Sequence, residues 1–269
     1  MDAVTIGPLM LPLPRLFALL ALVALLVTAS LLGRRLHSEL GTLGTPLIIS
    51  GGIAARLGYV LGHLDAYRAE PWSVLFFWQG GMDPLWAVAG AVFYGLWHFR
   101  GRRRLQRLAQ LPVVAGLGVW LGLNGGHAWL AEPATATLAD QALPRMDGER
   151  LALDQWQGQP VVVNLWASWC PPCRREMPRL AEEAERHPQV RFAFVNQGEE
   201  RATVAAYLER QSFSLAPVFL DRQARLRTRY EAPGLPATLF FDREGRLVDA
   251  HVGEISRAAL RDALQPLLE

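Results

Sequence analysis

Lysine is absent from this chain of 269 residues; every basic side chain is arginine, a bias that fits a GC-rich genome better than any chemistry. Charge of either sign is nearly balanced, and a formal net charge of +2 is too small to argue for nucleic acid as a partner. Cysteine is almost missing: the chain has two, Cys170 and Cys173. A structural zinc site needs four ligands, and one CxxC supplies only two. The six histidines (His37, His63, His98, His127, His187 and His251) are scattered, none with an i, i+4 partner, so no metal is expected. What remains for the two sulfurs is redox work, thiol–disulfide exchange.

The halves of the chain differ sharply. Up to about Leu130 it is rich in Leu, Ala, Val, Gly and Trp; beyond, it is an ordinary polar and apolar mixture. The first half reads as helices that span a membrane. Leu16–Leu32, Thr45–Leu64, Leu85–Phe99 and Leu108–Leu130 are four apolar runs; the first reaches full spanning length with the Pro8–Pro14 stretch, and the third is short. Pro71–Trp78 is too short to span and, with its tryptophans, reads as interfacial. Arg34 and Arg35 follow the first run, and Arg100, Arg102, Arg103, Arg104 and Arg107 separate the third from the fourth. Basic loops stay in the cytoplasm, so both clusters agree with four spans and both termini outside. A cleaved signal peptide over Leu16–Ser30 is the competing reading; it lacks a basic n-region and has Arg34–Arg35 on the wrong side. Arg56 interrupts the second span, and an intramembrane arginine is a functional candidate. The favoured reading is a structural residue paired with Asp65, Glu70 or a lipid phosphate.

Glu132–Ala142 has no periodicity and reads as a linker, giving a membrane domain over 1–131 and a second domain over 143–269. In the latter, strands and helices alternate. Val161–Trp166 is a buried strand, Pro171–Arg186 a helix bent at Pro178, and Val190–Val195 a strand. A helix (Ala202–Arg210), a strand (Pro217–Leu220) and a helix (Gln223–Tyr230) follow. A hairpin then pairs Ala237–Phe241 with Arg246–Val252 around Gly245, and Ser256 caps a last helix. The dithiol therefore sits where a strand becomes a helix. Cys170 in the first turn meets unpaired N–H groups and the positive end of the helix dipole, which favour a thiolate.

Two resemblances follow from the motifs. Val163-Asn164-Leu165-Trp166-Ala167-Ser168-Trp169-Cys170-Pro171-Pro172-Cys173 and Gly234-Leu235-Pro236-Ala237-Thr238 resemble the membrane-anchored, thioredoxin-like TlpA/ResA family over about residues 143–269. The fold class implied is an all-α transmembrane helical domain joined to an α/β thioredoxin-like domain, a central mixed sheet flanked by helices. The resemblance makes Pro236 a cis proline facing the dithiol, against the plain reading of a trans turn proline. It leaves the Leu235 backbone open to a substrate strand. Cys170 becomes the attacking thiol and Cys173 the resolving one. Pro171 and Pro172 shape the turn without donating N–H, and Trp169 either covers the pair or is ordinary packing. Glu176, one helical turn past Cys173, matches a glutamate of the ResA branch; it is readable as a semi-buried base for the Cys173 proton or as a solvated surface charge. Asn164 stands where thioredoxin has a buried aspartate, and Ala237 where cytochrome-maturation members have a glutamate.

Ile6-Gly7-Pro8, Gly51-Gly52-Ile53-Ala54-Ala55-Arg56-Leu57-Gly58-Tyr59-Val60 and Trp78-Gln79-Gly80-Gly81-Met82 resemble prolipoprotein diacylglyceryl transferase over roughly residues 4–98. Leu85 stands where that family has its essential histidine, and the later spans with their arginines are absent. A repurposed membrane domain is expected, with Arg56 as its one lipid-binding candidate.

Together these imply a membrane-anchored periplasmic thiol–disulfide oxidoreductase of a diderm inner membrane, most simply a protein disulfide reductase. No cofactor beyond the Cys170–Cys173 disulfide is expected. The partners implied are disulfide-containing periplasmic proteins, a DsbD-like electron donor and membrane lipids. A lipid-modifying transferase with a redox appendage, and a non-catalytic membrane adaptor, are the alternatives.

Overall fold

The computed structural model describes residues 3–6, 9–130, 136–215 and 217–269, with residues 3–6 and 9–12 described by backbone alone. Contacts divide the chain into two compact units, broadly the residues before and after 131, with Trp78–Gly80 grouped with the later ones.

The first unit opens with a short antiparallel hairpin, β1 (Ala3–Ile6) and β2 (Leu9–Pro12). Gly7 and Pro8 of the Ile6-Gly7-Pro8 motif lie outside the described residues. The rest is helical: α1 (Leu13–Arg35), α2 (Ser38–Gly41), α3 (Gly44–Gly62), α4 (Leu64–Ala69), α5 (Pro84–His98) and α6 (Arg103–Leu130), with a 3₁₀ turn over Pro71–Leu75. Three of these, α1, α3 and α6, are long and apolar enough to cross a membrane. The expected third span is α5, whose 15 residues reach only roughly 22 Å. It starts abruptly because Asp83 caps it, its Oδ1 accepting from the Leu85 and Trp86 N–H groups at 2.8 and 3.2 Å.

Small residues let α5 lie antiparallel against α3. A Cβ on Gly58 would meet the Trp86 ring at 2.0 Å, and one on Gly90 would meet the Ala54 Cβ at 2.3 Å. A core of Leu25, Leu43, Leu47, Ala91, Ala109 and Val113 joins α1, α3, α5 and α6. Ile49, Ile53 and Leu57 form a stripe on α3 that is more than half exposed, as a hydrocarbon-facing surface would be.

The second unit holds a two-stranded ribbon, β3 (Leu143–Pro144) with β4 (Arg150–Leu151), and a five-stranded mixed sheet. The sheet strands are β5 (Val161–Trp166), β6 (Arg191–Gln197), β7 (Val218–Asp221), β8 (Ala237–Phe241) and β9 (Leu247–Val252), in the order β7-β6-β5-β8-β9. β5, β6 and β7 are parallel; β8 pairs antiparallel with β5 on one side and β9 on the other. The helices are α7 (Pro171–Arg186), α8 (Arg201–Leu208), α9 (Arg225–Arg229) and α10 (Arg257–Leu268).

Strand alternation splits the core between two faces. Val162, Trp166 and Phe240 face α7 and α10 with Met177, Leu180 and Leu260. Val161, Val163, Leu165 and Phe241 face the other way with Phe219, Leu226 and Tyr230.

Several bounds differ from the sequence reading by one or two residues; α8, expected over Ala202–Arg210, runs Arg201–Leu208. Helix α9 begins at Arg225 rather than Gln223, because Ala224 has φ +51° and cannot be a helical residue. Strand β6 runs two residues past Val195, because Asn196 and Gln197 are buried although polar. The expected linker, 132–142, is described from residue 136, and from there it belongs to the domain. Leu138 and Ala139 are buried, the Leu138 N–H donates to Gly245 O, and the Leu247 N–H donates to Ala136 O, each at 2.9 Å.

Candidate active site

Cys170 is the N-cap of α7, and Cys173 lies in its first turn. The two are joined as a disulfide. The Cys173 N–H donates to Cys170 Sγ at 3.3 Å, so the helix end already directs a donor at the sulfur that becomes the thiolate on reduction. Cys173 is fully buried, and Cys170, at 3 % exposed, is the less buried of the two. Pro171 and Pro172 fill the first helical positions, where a missing N–H costs nothing.

The Leu235–Pro236 bond is cis. Pro236 is buried just before β8, whose Ala237 pairs with Leu165 near the end of β5. The Pro236 carbonyl accepts from the Gly253 N–H at 2.9 Å. Leu235 is half-buried against the cluster that contains both cysteines. Trp169, expected to cover the pair or to pack, is 67 % exposed.

Glu176 is fully buried, not a solvated surface charge. The i, i+3 spacing puts it on the same face of α7 as Cys173. Asn164 and Thr238, paired across β5 and β8, point to that face. Asn164 Nδ2 donates to Glu176 Oε1 at 2.8 Å and to Thr238 Oγ1 at 3.0 Å, and the Ile255 N–H donates to Glu176 Oε2 at 3.0 Å. Burial pushes the Glu176 carboxyl up to about 8, against the lowering pull of these hydrogen bonds. An amide at 164 presents either its N–H or its oxygen, so it suits both protonation states of its neighbour; a second carboxylate would not.

Two groups escaped the sequence reading. Glu199 accepts from the Ser168 N–H at 2.7 Å, the Ser168 hydroxyl at 2.5 Å and Asn196 Nδ2 at 2.6 Å, which ties down the loop leading into Trp169 and Cys170. Glu254 is buried beside Glu176's partner Ile255 and pairs with Arg175 and Arg179. Asn164 and Thr238 were traceable as polar residues inside apolar runs; Glu199 and Glu254 carried no such signal.

In the first unit, Arg56 is buried. Its guanidinium donates to backbone carbonyls: Nε to Val74 at 2.9 Å, and the terminal nitrogens to Gly81 at 2.9 Å and Ser73 at 2.5 Å. It also lies over the Tyr67 ring at 5.3 Å. This is the geometry of a residue that pins a loop. Arg56→Ala removes charge-assisted hydrogen bonds worth about 1.5–3 kcal/mol each. Limited proteolysis should then cut within residues 71–81 at a protease dose the parent chain resists. Leu85, where the transferase resemblance expects its histidine, is 79 % exposed and offers no base.

The AhpC/TSA family model matches residues 135–250. ResA, a thiol-disulfide oxidoreductase of Halalkalibacterium halodurans, is 26 % identical over 162 residues, covering 58 % of this chain and 92 % of its own. ResA of Geobacillus thermodenitrificans is 27 % identical over 172 residues, covering 61 % and 98 %. The C-terminal half is a thiol-disulfide oxidoreductase domain.

The oxidoreductase domain also aligns with a solved putative thiol:disulfide interchange protein DsbE from Chlorobium tepidum, at 24 % identity and a TM-score of 0.47, covering 52 % of this chain and all of that one. The prolipoprotein diacylglyceryl transferase family model matches residues 3–126, ahead of the oxidoreductase domain. With that match and three helices of spanning length, the chain is a membrane protein.

Proposed function

We propose that the protein is a multi-pass inner-membrane protein whose oxidoreductase domain reduces disulfides of periplasmic proteins. The observation that carries this reading is the disulfide at the N-terminus of α7 with a buried, proton-holding Glu176 on the Cys173 face. The dithiol itself carries the two electrons, so the reading needs no further cofactor.

In the reduced protein, the Cys170 thiolate attacks one sulfur of a substrate disulfide. A mixed disulfide forms and the substrate's other sulfur leaves as thiolate. Cys173 gives its proton to the Glu176 carboxylate and attacks Cys170 Sγ. The second substrate sulfur leaves, two electrons have passed to the substrate, and Cys170–Cys173 is oxidised. Glu176 then holds the proton, in keeping with its raised affinity in the disulfide form. Resetting reverses this: a donor thiolate attacks Cys170 Sγ, and the leaving Cys173 sulfur takes the proton back from Glu176. Trp169 and the backbone of Leu235 are the exposed and half-buried surfaces offered to the substrate chain.

The basic clusters Arg34–Arg35 and Arg100–Arg107 fit one cytoplasmic side if α5 crosses together with α3, as their close small-residue packing favours. On this reading the oxidoreductase domain lies in the periplasm. The periplasm is kept oxidising, so a reductase there needs electrons from the membrane. No cysteine lies in the first 169 residues, so a DsbD-like transporter is the proposed donor. In cells lacking that transporter, thiol-trapping gels should show Cys170 and Cys173 shifted almost wholly to the disulfide. An unchanged reduced fraction would rule the donor out.

A further inference from the structure

Beneath Glu176 lies a second buried carboxylate that the exchange steps above do not use. Glu254 is 5 % exposed. Arg175 reaches it through Nε at 2.9 Å and a terminal nitrogen at 2.7 Å, and Arg179 reaches it at 3.5 Å. The next peptide joins the two carboxylates: the Ile255 N–H goes to Glu176, and the Ile255 carbonyl accepts from Arg179 at 3.0 Å. Both arginines lie on the helix that carries Cys173 and Glu176, yet the carboxylate they bond is Glu254. Glu176 takes its hydrogen bonds from a neutral amide and a backbone N–H.

We propose that Glu254 is a positioning residue for the exchange reaction: by engaging Arg175 and Arg179 it keeps both cations off Glu176, which thereby holds the proton that Cys173 takes when the disulfide opens. The inference rests on the proton role given to Glu176 above. A guanidinium bonded directly to Glu176 would favour its ionised form and empty it of that proton. A nearby anion does the opposite, and Glu254 provides both effects at once. The groups around Glu176 are Cys173, Arg175 and Arg179 on α7, Glu254 before α10, and the uncharged Asn164 and Thr238 on β5 and β8. His251 on β9 lies one step further out, its ring nitrogen 3.4 Å from the Glu254 carbonyl.

The test is the rate at which a small dithiol reduces the Cys170–Cys173 disulfide of the full chain in detergent, expressed per attacking thiolate and followed from pH 5 to 10. The parent protein should lose rate as Glu176 gives up its proton, with a midpoint near that of the carboxyl, about 8. Glu254→Gln removes the anion and releases the arginines, so its midpoint should fall by about one pH unit or more, tenfold in proton concentration. Arg175→Gln removes a cation from a half-exposed site, so its midpoint should rise, by less. The opposite signs separate positioning from simple loosening of the fold, and Arg175→Gln decides alone if Glu254→Gln does not fold. Midpoints that stay put, or that move the same way in both variants, overturn the role of Glu254. A parent profile without a falling limb, or a limb that survives Glu176→Gln, instead overturns the role of Glu176.

Discussion

Cys173→Ser is expected to turn the protein into a covalent trap. Cys170, the less buried of the pair, is the attacking thiol on this reading, and with no thiol behind it the mixed disulfide has no intramolecular route to release. Turnover of a protein disulfide should fall to the uncatalysed background while adducts build up on non-reducing gels. Both should vanish in Cys170→Ser, which loses the attacking sulfur itself. The trap also works where the protein lives, since adducts recovered from cells identify the substrates directly. A Cys173→Ser protein that turned over normally, or formed no adducts with any disulfide protein, would mean that the pair does not exchange disulfides in the manner described.

Glu176→Gln should give the next largest effect, and two measurements read it. The first is kinetic. Without the carboxyl, the leaving Cys173 sulfur has no proton at hand, and opening of the disulfide below pH 8 should slow by on the order of 100-fold. The falling limb of the pH profile should disappear with it. The second measurement is stability. Glu176 titrates at about 8 in the fold against 4.5 in the unfolded chain. Below pH 4.5 it is protonated in both states and costs nothing. Between 4.5 and 8 the unfolded chain ionises while the fold resists, so the parent protein loses stability by up to about 1.4 kcal/mol per pH unit. Above 8 the loss is complete and constant. Glutamine does not titrate, so the variant's thermal midpoint should gain on the parent's from pH 5 to 8 and level off beyond. A constant difference across that range would mean that Glu176 ionises normally.

Much of the second domain was legible before any coordinates. The apolar run Val161–Trp166, the CxxC, the Asp242–Gly245 turn and Ser256 each mark an element by local chemistry, and β5, α7, the β8–β9 hairpin and α10 follow. Two of the boundaries that shifted did so for non-local reasons. Asn196 and Gln197 stay in a strand because neighbours bury them, and Leu138 docks because a sheet edge far along the chain accepts it. In the membrane half, composition marked the four long helices and missed the short α2 and α4, and length separated α5 from the three others. There Arg56 had been readable either as a lipid contact or as a structural residue. Its carbonyl partners at Ser73, Val74 and Gly81 lie 17 to 25 positions away, a distance that cannot be inferred from a helical pattern.

By itself, the chain of letters determined which atoms do the chemistry: two sulfurs three residues apart at a strand-to-helix junction, a setting created by local backbone geometry. It also determined that one half is too apolar to be exposed to water. Only the tertiary structure decided the state of Glu176. Whether that carboxyl is a surface charge or a buried acid depends on Asn164 from one strand, Thr238 from another and Ile255 from the loop before α10, which sequence scatters over some ninety positions and folding brings to one side chain. Proton affinity follows solvation and neighbouring charge, and both are properties of the assembled interior rather than of any segment within it.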